Sequence, residues 1–172
     1  MGDTDKYGSE PLSNHDLIRA VAKDLKDRVN IVDTTKLTGN EDVEDLFHGR
    51  GHAIIFLENP GQEVGHWVAM VRSGKGKQKG KNLIYADSYG DPLEDKNLLK
   101  ILSKKYKKLE YNTYPFQQDD TNVCGRYCLI LAGLNKLIPN MNIKHFVDFL
   151  KKTKPKGKSY DEYVISLTKD VK

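Results

Sequence analysis

The chain has 172 residues, 38% of them hydrophobic and 30% charged, and its 28 basic and 24 acidic residues give a formal net charge of +4. That length carries one domain with a sizeable core, and the composition excludes a disordered chain. No apolar run approaches the roughly 20 residues of a spanning helix, which excludes a membrane-embedded chain.

The opening "MGDTDKYGSEPLSN" lacks the basic start and apolar middle of a secretory signal. An intracellular setting is therefore expected, with both cysteines as thiols. Residues 1–12 read as a flexible lead-in. Ser13 or Asn14 can then cap a helix on which Leu17, Ile18, Val21, Ala22, Leu25 and Val29 recur at helical spacing. A weaker helical piece, Asn40 to Phe47, precedes "GHAIIFLE" (Gly51 to Glu58), a β-branched and aromatic run that reads as a buried strand, with a turn at "NPGQ". "GHWVAMVRS" and "KNLIYADSYG" read as two more strands, paired as a hairpin across a lysine-glycine tip.

Helical spacing resumes at Leu93, Leu98, Leu99, Leu102 and Tyr106. "KKLEYNTYPF" then alternates Leu109, Tyr111 and Thr113 as a strand does, and Pro115 closes it. From Cys124 onward, Cys128, Leu129, Leu131, Ala132 and Leu137 make a helix apolar on most sides, hence central. Two more helices fit around Ile143 to Leu150 and Tyr160 to Leu167. Strands in the middle with helices at both ends imply a single α+β domain over 1–172, built around a small sheet. Three lysine runs, "RSGKGKQKGK", "KKYKK" and "KKTKPKGK", are either solvated faces or contacts for a polyanion.

Cys124 sits where a helix begins. There a thiol meets the positive end of the helix dipole and unpaired N–H groups, both of which favour thiolate. Gly125 lets the backbone approach a ligand closely, and the side chain of Gln117 or Gln118 can add a second donor to a developing oxyanion.

Such a nucleophile needs a base. Of the five histidines, His66 lies in a strand-like run beside Trp67, where a sheet can fix its ring. His48 and His52, flanking a glycine-rich loop, are alternatives; His15 and His145 fall on exposed positions. An imidazole base needs an orienting acceptor. Asp87, at the end of the next strand, is placed for it, with Asp91 and the Asp119-Asp120 pair as alternatives. Taken singly, each residue also has a plain structural role as core, strand or turn residue. A zinc reading would gather Cys124, Cys128, His48 and His52, but structural zinc sites usually bring close cysteine pairs from knuckle loops, and Cys128 lies inside an apolar helix.

In order along the chain come "GHW" (Gly65 to Trp67), "ADSYG" (Ala86 to Gly90), "FQQDDTNVCG" (Phe116 to Gly125) and the "CGRYC" that ends it. This order resembles the cysteine proteases that include the adenovirus maturation protease and the SUMO-specific proteases, and the resemblance spans roughly Gly51 to Leu137. It implies a papain-like core with a small central mixed β-sheet flanked by helices. It also implies Cys124 as nucleophile, His66 as general base, Asp87 as the residue orienting the imidazole, and a glutamine in the oxyanion hole. The viral spacing selects Gln117 and the SUMO-protease spacing Gln118; "PFQ" and the second cysteine look more like the viral branch.

At this length the resemblance implies an endopeptidase of a DNA virus, virophage or virus-like Polinton/Maverick transposon. Its expected substrates are capsid or scaffold precursors, cleaved during virion maturation by a monomer inside the virion or the host cytoplasm or nucleus. The chemistry needs no cofactor. DNA bound through the lysine runs is a candidate activator, whereas a disulfide-linked peptide activator has no cysteine here beyond Cys124 and Cys128. Two alternatives stand beside this reading: a deubiquitinase- or deSUMOylase-like isopeptidase, and a non-catalytic DNA- or capsid-binding protein.

Overall fold

Among the described residues the chain alternates strands and helices: β1 (Val29–Asp33), a 3-10 turn (Thr34–Lys36), α1 (Val43–Phe47), β2 (His52–Leu57), β3 (His66–Ser73), β4 (Asn82–Ala86), α2 (Lys96–Ser103), β5 (Leu109–Tyr111), α3 (Cys124–Leu137), α4 (Ile143–Thr153) and α5 (Tyr160–Leu167). The structure is a computed structural model and describes residues 29–48, 51–57, 65–73, 82–118, 123–138 and 140–169.

The strands form one five-stranded mixed sheet in the order β1-β2-β3-β4-β5. The outer pairs, β1 with β2 and β4 with β5, are parallel, and the inner pairs are antiparallel. The expected hairpin is present, with Ala69 opposite Ala86 and Arg72 opposite Leu83. Strand alternation sorts β3 onto two buried faces. Trp67, Ala69 and Val71 join Ile84 and Ala86 against α3, α4 and α5, while Val68 and Met70 join Leu83 and Tyr85 against α1 and α2. This two-sided cover explains why the run reads as continuously apolar. Small residues, Ala69 and Ala86, lie on the α3 side of the sheet, and α3 is central as expected, with Tyr127, Leu131 and Ala132 all buried.

Of the five α-helices among the described residues, four carry a side-chain cap: Asp42 on α1, Asp95 on α2, Asn142 on α4 and Ser159 on α5. Helix α3 has Val123 at its N-cap position, an apolar residue whose side chain supplies no capping hydrogen bond.

Several expectations are corrected. Helical spacing places Val29 at the end of the first helix, but Val29 opens β1, whose run Val29-Asn30-Ile31-Val32 pairs in parallel with β2. β-branched residues fit that half-covered edge strand better than a helix end. The rest of that helix, residues 1–12, the "NPGQ" turn and the lysine-glycine tip lie outside the described residues. Leu93 is buried but not helical, since Asp95 caps α2 and the helix starts at Lys96. β5 stops at Tyr111, short of Thr113, because Asn112 turns its amide to the β4 terminus instead of continuing the ladder. No helix among the described residues is long and apolar enough to cross a membrane.

Candidate active site

His66 begins β3 and Asp87 follows β4, so the antiparallel hairpin brings both to the same end of the sheet. Nε2 of His66 lies 2.8 Å from Oδ1 of Asp87, with side chains only 12% and 6% exposed. Helix α3 crosses the face of β3 and delivers Cys124 to the same place, where the Trp67 backbone N–H points at its Sγ from 3.5 Å. With Nε2 committed to Asp87, Nδ1 is the ring nitrogen left for the Cys124 side chain, which is near enough to act on the imidazole electrostatically. Burial by itself would lower the His66 imidazole from its ordinary 6.5. The hydrogen bond to Asp87 and the interactions with Asp87 and the Cys124 side chain outweigh it and push the value up to about 9. The Tyr89 ring stacks on the imidazole, centroids 4.9 Å apart.

Asp87 is held from several sides. Its carboxylate accepts from the Tyr89 N–H at 2.8 Å. Its own N–H donates to Asn112 Oδ1 at 2.9 Å, and its C=O accepts from Asn112 Nδ2 at 2.6 Å. Asn112 is 1% exposed, so this paired clamp is shielded from water and its donors and acceptors have no solvent to fall back on. Gly90 closes the turn with φ +77, and a Cβ there would stand 3.0 Å from the Thr113 carbonyl oxygen. Only glycine fits both the backbone angle and the space.

The two glutamines separate clearly. Gln117 is buried, its N–H and that of Phe116 both donate to Ser88 O, and its Oε1 accepts from Ser88 Oγ at 2.5 Å. Holding Oε1 in this way fixes the other end of the amide, Nε2, as the donor end. Gln118 is exposed, and its backbone N–H donates to Asp161 Oδ2 at 3.1 Å.

The remaining candidates are not brought to this place. His48 is exposed in a left-handed conformation at the end of α1. The backbone of His52 pairs with Val71, at the far end of β3 from His66. His145 is exposed and uses Nδ1 in the α4 capping box. Asp91 is exposed. His15 and Asp119-Asp120 lie outside the described residues. Cys128, one turn beyond Cys124, is buried, and burial raises its thiol well above the ordinary value. Among the described residues no three or more His, Cys, Asp or Glu side chains gather as metal ligands.

Sequence reasoning missed Trp67 N–H, Ser88, Asn112 and Asp161, whose roles depend on contacts far along the chain. In the "KKYKK" run, Lys104 donates to Gly39 O and Lys105 pairs with Glu44, whereas in the third run Lys151 stacks on Tyr114 and Lys154 on Tyr160.

No protein-family model matches the sequence, and no curated protein matches it. Among solved structures the chain is similar to the crystal structure of the selenomethionine form of the ASFV pS273R protease. The TM-score is 0.53 at 14% identity, over 92% of this chain and 68% of that one. At that identity the likeness speaks for the fold alone: this chain shares the mixed α+β fold of that protease.

Proposed function

We propose that the chain is a viral-type cysteine endopeptidase that cleaves capsid or scaffold precursors during virion maturation. The reading rests on one observation above all: a largely buried imidazole hydrogen-bonded to Asp87, with the Cys124 thiol at the start of α3 set against the backbone N–H of the adjacent Trp67.

In this mechanism His66 Nδ1 holds the proton given up by the Cys124 thiol, and Asp87 keeps the ring in place and balances its charge. The thiolate, turned toward the Trp67 N–H, attacks the scissile carbonyl. The oxyanion that forms accepts from the Cys124 backbone N–H and from Gln117 Nε2. His66 then protonates the leaving amine as the C–N bond breaks, which leaves a thioester on Cys124. Water attacks the thioester, His66 takes its proton, and the acid product and the free thiol are released. Gln117 is assigned to the oxyanion because it is buried and hydrogen-bonded through Ser88 beside the Asp87 turn. No metal or organic cofactor takes part.

The exposed lysines of the third run, Lys151, Lys152, Lys156 and Lys158, leave a polyanion such as DNA as a proposed activator. The test has two parts. Iodoacetamide should alkylate Cys124 well below the pH of an ordinary thiol in wild type, and lose that advantage in His66→Ala, with Cys128 as internal control. Purified enzyme should then cut capsid precursors, with and without DNA, and leave ubiquitin-like conjugates intact. Ordinary thiol behaviour in both proteins would remove the enzyme reading, and cleavage of the conjugates alone would replace the substrate.

A further inference from the structure

Beyond the residues at the reacting atoms, one buried carboxylate joins the loop of Gln117 to the helix of Cys124. Asp161 is 4% exposed, in the first turn of α5. Its Oδ2 accepts the Gln118 backbone N–H at 3.1 Å, and its Oδ1 accepts the Tyr127 hydroxyl at 2.7 Å. Tyr127 is itself buried on α3, three residues after Cys124. The neighbouring Tyr160 packs edge-on against Phe116 at 4.9 Å and against Tyr114 at 5.9 Å, so the start of α5 seats the whole 114–118 stretch. Upstream, the same stretch is held by Ser88 O through the Phe116 and Gln117 N–H groups.

We infer that Asp161 is a positioning residue that fixes the distance between the Gln117 amide and the Cys124 end of α3, and so shapes the oxyanion hole. The inference rests on the proposed protease reading. Ser88 anchors one flank of Gln117 and Asp161 the other. Without the second anchor the loop can slide relative to α3, and the donor no longer meets the oxyanion at hydrogen-bond distance. Iodoacetamide alkylation builds no oxyanion, so it is blind to that displacement. Peptide hydrolysis is not.

The decisive comparison measures kcat, KM and Cys124 alkylation in Asp161→Ala and Asp161→Asn. Asparagine can still accept from Gln118 N–H and, by donating to the Tyr127 oxygen, keep both contacts. The alanine variant is expected to lose about tenfold or more in kcat with KM little changed, less than outright removal of an oxyanion donor. Its alkylation rate should stay within about twofold of wild type, since thiolate character is untouched. Asparagine should restore most of kcat.

An alanine variant with unchanged kcat, a parallel fall in alkylation, or no rescue by asparagine overturns the inference. Should the alanine variant fail to fold, Tyr127→Phe removes only the hydroxyl that fixes the carboxylate. It should show a smaller kcat loss with normal alkylation, and unchanged kcat there counts against the brace. If wild type cleaves no peptide, the protease reading fails separately. The brace is then read from hydrogen exchange of the Gln118 amide, which must quicken in the alanine or phenylalanine variant; an unaltered rate refutes it.

Discussion

Nε2 of His66 stands 2.8 Å from Oδ1 of Asp87, although the two residues are 21 positions apart: Asp87 directly follows Ala86, the last residue of β4, and His66 opens β3, whose Ala69 pairs with Ala86. The contact is a product of hairpin register: slipping the pairing by one residue would turn each side chain to the opposite face. Asp87→Asn keeps an acceptor for the ring but removes its charge. Peptidase kcat/KM is expected to fall on the order of 10²-fold, and in His66→Ala by roughly 10²- to 10⁴-fold, the span of general acid–base catalysis. Full activity in Asp87→Asn would show that the contact is structural only.

The raised His66 value sets a pH signature. Its folded-state value, about 9, exceeds the ordinary 6.5. The imidazolium therefore contributes stability that is fully present below about pH 6.5 and is lost as pH rises through about 9. Melting temperature should decline across that window in wild type and stay flatter in His66→Gln. Parallel profiles in the two proteins would contradict the assignment of the shift to this residue.

The two glutamines can be told apart by substitution. Gln117→Ala should lower kcat by roughly 10²-fold if its amide is an oxyanion donor. Gln118→Ala keeps the backbone N–H that Asp161 accepts and should change kcat by less than about threefold, since surface side chains carry little of this energy. The reverse ranking would move the oxyanion donor to Gln118.

Asn112 touches no reacting group in the proposed mechanism, yet its amide pairs with both the N–H and the C=O of Asp87. Asn112→Ala leaves those two buried groups without that partner and should destabilise by about 1–3 kcal/mol, with catalysis reduced alongside. Chemical denaturation of the variant measures this directly, and an unchanged midpoint would mean that another group takes over the clamp.

Cys128 is buried behind the site, and burial holds its thiol protonated. It should resist iodoacetamide in the folded protein. Cys128→Ser is expected to cost about 1 kcal/mol or more, through a buried hydroxyl, while Cys124 alkylation stays near the wild-type rate. Rapid alkylation of Cys128 under native conditions would reveal an opening that the fold does not display.

The local pieces are legible in the order of the residues. Helical spacing after Cys124, the short apolar run in "GHWVAM" and the glycine after "ADSY" are signals that act within a few residues, because caps, turns and buried faces are local physics. They were enough to place a thiol at a helix start and a histidine and an aspartate on neighbouring strands. Which side chains meet depends on how the distant parts of the chain fold together. Trp67 N–H reaches Cys124 across 57 positions, Asn112 reaches Asp87 across 25, and Asp161 reaches Gln118 across 43. Asn112, Asp161 and Ser88 look like ordinary polar residues in the chain, since nothing local marks a polar group that will be buried. Val29 was misread for the same reason: its apolar side chain fits either periodicity, and parallel pairing with β2 settled the choice.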